Sequence, residues 1–149
     1  MRRVDLVVVA LSAPLLVGVY EEGRLVERIE SEEKTSEALP KIFKELLKKY
    51  KIEKIYFARG PGSLMSIKLV YIFLKTLQIA KGIELFGCEG FLFNKGAPIK
   101  AVGNLYFVKE GDRIVTKKLD NLTCSFSLPQ RLDLPCSEET EPLYVIPAV

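Results

Sequence analysis

Between Val4 and Leu11 the chain is apolar at almost every position, the pattern of a strand covered on both faces rather than one that alternates between core and solvent. Leu15 to Tyr20 is a second such run, rich in β-branched and aromatic side chains. Glu21-Glu22-Gly23 then reads as a hairpin turn into Arg24 to Glu30, where Leu25, Val26 and Ile29 sit among charges. Together these runs predict a meander of three consecutive strands.

From Ser36 to about Tyr50 the period changes. Leu39, Ile42, Phe43, Leu46, Leu47 and Tyr50 recur at steps of three and four, with lysines and Glu45 filling the other face. Pro40 has no amide hydrogen and so belongs in the opening turn, which puts the start near Ser36 or Glu37. Lys54 to Ala58 reads as a short strand, and Ser63 to Lys81 as a helix that is apolar nearly all round. Such a helix needs covering on more than one side. Gly82 ends it, and Ile83 to Cys88 predicts another strand. Ile99 to Val108, the turn Glu110-Gly111-Asp112, and Arg113 to Leu119 predict a hairpin. From Asp120 onwards Pro129, Pro135, Pro142 and Pro147 punctuate a stretch without helical period.

Composition narrows the picture. A 149-residue chain that is 48% hydrophobic can bury a proper core. Its 22 basic and 19 acidic residues are interspersed, so the net charge of +3 permits contact with RNA without arguing for it. The first apolar run is too short for a membrane span and lacks a signal-peptide cleavage pattern. The expectation is a cytoplasmic protein with its native start. Cys88, Cys124 and Cys136 are odd in number and fit neither a disulfide framework nor a metal knuckle, so they are expected as reduced, packed thiols.

Candidate chemistry gathers at Gly60-Pro61-Gly62-Ser63, between a strand and a helix. Two readings stand: a tight structural corner, or a weak nucleotide contact through backbone amides at a helix N-terminus. The segment lacks the last glycine of GxGxxG and the Gly-Lys-Ser/Thr ending of a P-loop, and Pro61 removes one donor. Ser63 reads as a helix cap rather than a nucleophile. With no histidine in the chain, neither a Ser-His nor a Cys-His pair can be built. Asp5, far from the end of the first strand, reads as an exposed strand-start residue rather than a metal ligand.

These segments, in this order, resemble the N-terminal half of the TsaB (YeaZ) family of the actin-like ATPase and ribonuclease H superfamily. Val7 to Ser12 stands where the family has an Ile-Asp-Thr-Ser type strand. Thr35-Ser36-Glu37-Ala38-Leu39-Pro40 is similar to its His-Ser-Glu-x-Leu-x-Pro helix start. Arg59 to Lys68 is similar to its Gly-Arg-Gly-Pro-Gly-Ser-Phe-Thr-Gly-x-Arg run, and Pro142-Leu143-Tyr144-Val145 to its closing Pro-x-Tyr-Leu. The departures fall on chemistry: Ala10 occupies the aspartate position, Thr35 the histidine, Leu64-Met65-Ser66 the Phe-Thr-Gly, and Lys68 the arginine.

The resemblance implies an α/β fold: an actin-like, ribonuclease H-like mixed sheet flanked by helices over residues 1–97. Residues 98–149 would form a small, reduced β-rich second domain, a hairpin plus a Pro-rich segment keeping a last strand. It further implies a non-catalytic subunit, with no metal or cofactor of its own. Such a subunit binds a TsaD-like partner that carries ATP and metal, works with a TsaE-like ATPase, and meets tRNA only through the complex that forms threonylcarbamoyladenosine next to the anticodon. In the family the corresponding helices pack on the same pair in TsaD, which marks Leu39, Phe43, Leu46, Lys68, Tyr71, Ile72 and Lys75 as the expected contact. The alternatives are a nucleotide-dependent hydrolase or kinase-like enzyme, and a homodimeric interaction domain using the same helices.

Overall fold

The computed structural model describes residues 1–145. Strands β1 (Arg2–Val9), β2 (Leu15–Glu21) and β3 (Arg24–Ser31) form the expected meander. Helix α1 (Thr35–Lys49) leads directly into β4 (Tyr50–Gly60), and α2 (Leu64–Lys81) into β5 (Glu84–Glu89). The five strands make one mixed sheet in the order β3-β2-β1-β4-β5, antiparallel through the meander and parallel where β1 meets β4 and β4 meets β5. A second, antiparallel sheet holds β6 (Ile99–Lys100), β7 (Leu105–Glu110) and β8 (Arg113–Lys118).

The unbroken apolar runs have the cause the pattern suggested. Alternate residues of β1 point to opposite faces. Val4, Leu6 and Val8 join α1 and α2 in one buried cluster, with Phe43, Leu46, Val70 and Leu74. Val7, Val9 and Leu11 join the other, with Phe91, Phe93, Ile99, Phe107 and Leu128. Helices therefore cover one face, and the second sheet with the C-terminal segment covers the other.

Four local expectations are corrected. Pro40 lies in the second turn of α1, because the helix opens at Thr35; Ser36 and Pro40 are exposed, where the missing amide is tolerated. The run from Ile99 to Val108 is two strands, split by a turn in which the Leu105 amide donates to the Val102 carbonyl. The closing Pro142 to Val145 segment forms no strand. Finally, Cys88 and Cys136 are joined in a disulfide across 48 residues, leaving Cys124 as the free thiol. No regular register foretells that pairing; single backbone contacts make it. Pro147 lies outside the described residues.

Residues 127–143 form a strap across the sheet's second face. It starts beside the 3-10 turn Gly90–Phe93, where the Ser127 amide donates to the Phe93 carbonyl. The Leu25 amide donates to Gln130 and the Leu132 amide to Gly23, tying the strap to the β2–β3 hairpin. Gly87 and Ser137 then exchange backbone hydrogen bonds of 2.8 and 3.1 Å at β5. At the end of β4 the Leu143 amide donates to the Arg59 carbonyl at 2.7 Å.

Candidate functional site

Ser63 caps α2, its hydroxyl accepting from the Ser66 amide at 3.5 Å, and Gly82 closes the helix in the left-handed conformation with its amide on the Gln78 carbonyl. Gly60, Pro61 and Gly62 are buried at the corner before it. Gly60 has φ +132°, and a Cβ there would stand 2.5 Å from the Leu143 carbonyl oxygen. One at Gly62 would press on Leu11, at 3.1 Å. Chain packing, on these distances, already occupies the glycine surfaces. Sequence reasoning missed the support beneath: Arg59 is nearly enclosed, its Nε donating to the Glu141 carbonyl at 2.7 Å and its guanidinium pairing with Glu139 at 3.3 Å.

Of the four corner residues, only Ser63 lines the open depression at the carboxyl ends of β1 and β3. That depression, of about 490 Å³, is walled by Ala10 to Ala13, Glu32 to Ser36, and Ser63, Met65, Ser66 and Leu69. Ser12, Thr35, Ser36, Ser63 and Ser66 bring hydroxyls, Lys34 one ammonium, and Glu32 and Glu33 two carboxylates. The first-strand position facing it is Ala10, so no β1 carboxylate enters. Among the described residues no group of three or more His, Cys, Asp or Glu is placed to hold a metal ion. Asp5, expected exposed, is half-buried between β2 and β4, and burial raises its carboxyl above the ordinary range.

The helical face is where the predicted partner residues divide. Leu39, Phe43 and Leu46 are buried within their own chain, Leu39 at the floor of the groove between the helices. They anchor α1 to the sheet and to α2: the Phe43 ring meets Phe73 edge-on at 5.2 Å. Tyr71 is half-buried against the same cluster, with the Lys75 ammonium 5.8 Å from its ring centre. Lys68 and Ile72 face outwards.

What α2 leaves outside is a stripe. Met65, Ile72 and Ile79 are spaced by seven and are 70%, 52% and 84% exposed. Side chains seven apart lie over one another on a helix, as in the seam of a coiled coil. Beside the stripe an apolar groove of about 290 Å³ runs between the helices, with Leu39 and Pro40 from α1 facing Leu69, Phe73 and Leu77 from α2. The sequence signal was the surplus of apolar residues over one helical face. Depression and groove share Thr35, Ser36 and Leu69, so they form one continuous surface.

No family model matches the chain, and no curated protein does. Solved structures do. The fold superimposes on YeaZ from Pseudomonas aeruginosa with a TM-score of 0.62 and 15% identity, covering 91% of this chain and 71% of that one. A second structure, described as an uncharacterized protein with similarity to peptidase YEAZ from Pseudomonas aeruginosa, gives 0.61 and 16%, covering 91% and 70%. The chain therefore has a TsaB/YeaZ-like fold.

Proposed function

We propose that this chain is a non-catalytic, TsaB-like subunit that binds and stabilises a TsaD-like partner in the complex forming threonylcarbamoyladenosine next to the tRNA anticodon. The observation that carries the reading is the exposed Met65-Ile72-Ile79 stripe beside an apolar groove, on a chain whose fold is YeaZ-like. Apolar area left on a helix at heptad spacing is stabilised by burial against a second helix. Nucleotide, metal and transfer chemistry would reside on the partner and on a TsaE-like ATPase, and tRNA would be reached through the complex. The place of action is the cytoplasm; no helix among the described residues is long and apolar enough to cross a membrane.

Co-purification with a TsaD-like subunit, followed by a tRNA-modification assay with and without this chain, tests the proposal. Ile72→Asp should stay folded, because the side chain is half exposed, yet lose partner binding, because a charge would be desolvated in the contact. Unimpaired binding by that folded variant would overturn the assignment of the face.

The hydroxyl-lined depression at the α2 N-terminus favours a second reading, a nucleotide-dependent enzyme. Calorimetry with millimolar ATP and Mg²⁺ separates the two: binding heat supports the enzyme, and its absence removes it.

A further inference from the structure

The C-terminal half of the strap is held in an unusual way. Residues 136–143 contain no helix and no strand, so no ladder of hydrogen bonds fixes them. What fixes them is one backbone bridge, Gly87 to Ser137, the Arg59 contacts to Glu139 and Glu141, the Leu143 amide on Arg59, and the Cys88–Cys136 bond. Approach to β5 is so close that a Cβ on Gly87 would lie 2.0 Å from the Glu139 carbonyl oxygen. The two cysteines differ in exposure: Cys88 is 1% exposed, whereas Cys136 is half-buried on the strap itself. Cys124 stands apart, its thiol directed at the Pro98 carbonyl at 3.7 Å.

We infer that the Cys88–Cys136 bond is a thiol-operated latch, closed when oxidised and opened by a dithiol reductant, which frees residues 136–143 while the rest of the fold stays in place. A thiolate of the dithiol attacks the sulfur of Cys136, the more exposed residue of the pair, forming a mixed disulfide and expelling Cys88 as a thiolate, which takes up a proton. The reductant's second thiol then attacks its own sulfur in that mixed disulfide. It leaves as a cyclic disulfide, and Cys136 becomes a thiol. The protein gains two electrons and two protons, and the dithiol loses them. Opening has a local consequence, because the freed segment carries Leu143, whose backbone backs Gly60 at the corner that starts α2. Disulfides in reducing compartments are mostly of this switchable kind. The inference rests on the strap's own contacts and holds whether or not the proposed partner binds.

Hydrogen exchange on the full chain, oxidised and then treated with dithiothreitol, tests it. The Ser137, Glu139 and Leu143 amides and the Gly87 amide should exchange at least about tenfold faster after reduction, while α1 and β1 to β3 change less than about twofold, and reoxidation should restore protection. Cys136→Ser should behave as the reduced protein without any reductant. Three outcomes would overturn the latch: unchanged exchange on reduction, faster exchange throughout the sheet, or three titratable thiols in the oxidised protein. Should Cys136→Ser fail to fold, the bond would be a staple of the whole fold, and dithiothreitol should then raise exchange everywhere.

Discussion

Gly60 shows how one residue fixes the corner. Its φ of +132° lies in the region that side chains avoid, and its hydrogen faces the Leu143 carbonyl at a distance no Cβ tolerates. Gly60→Ala should therefore cost about 3 kcal/mol by urea denaturation, whereas Gly111→Ala, with φ +62° and open space around it, should cost about 1 kcal/mol. Equal losses would show that backbone conformation alone matters and that Leu143 yields freely. A second residue sets an acid response. The Glu27 carboxylate accepts from the Tyr50 hydroxyl at 2.8 Å and from the Lys49 ammonium at 3.0 Å, and these bonds, Tyr50's first, hold it below the ordinary carboxylate range. A lowered folded-state pKa contributes stability that is present above the unfolded value and fades as pH falls through the folded one. Stability should thus decline from about pH 5 to pH 3, and less steeply in Glu27→Gln. Asp5, raised by burial, acts in the opposite sense: its contribution is present below the unfolded value and is lost as pH rises through the raised folded one.

At the scale of elements, the two helices divide anchoring from display. α1 spends its apolar stripe inward, so Phe43→Ala should destabilise by about 3 to 5 kcal/mol. α2 buries Ile67, Val70 and Leu74 and leaves its heptad stripe outside, so Ile72→Asp should shift stability by no more than about 0.5 kcal/mol. Thermal melts of the two variants check the contrast. Much of this was legible in the residues. The doubly apolar runs of β1 and β2, the period of α1, the Ser63 and Gly82 ends of α2 and the surplus on its surface each have a local cause that sequence records. That Leu39, Phe43 and Leu46 all turn inward was not legible, because a periodic stripe looks the same whether it meets its own sheet or another chain.

For the whole molecule, the strap was the least legible part, since its anchors join residues far apart, such as the Tyr20 hydroxyl on the Pro129 carbonyl 109 positions away. Neither period nor turn signals encode contacts made one backbone pair at a time, and the Cys88–Cys136 pairing was hidden with them. The strap nonetheless helps close the face that holds Val7, Leu16 and Tyr20. A chain ending at Ser127 should therefore bind a hydrophobic dye and lose near-ultraviolet circular dichroism; retention of both native signals would show the strap to be dispensable. Its path has one more effect. The sheet's outermost strands are β3 and β5, and the strap takes backbone groups at both, at Leu25 of β3 with Gly23 of the turn before it on one side and at Gly87 of β5 on the other. Further along β3, Arg28 and Glu30 put opposite charges on the exposed side chains. Unguarded strand margins invite ribbon growth from molecule to molecule, and here both margins are guarded. Fibril-like stacking is thereby disfavoured.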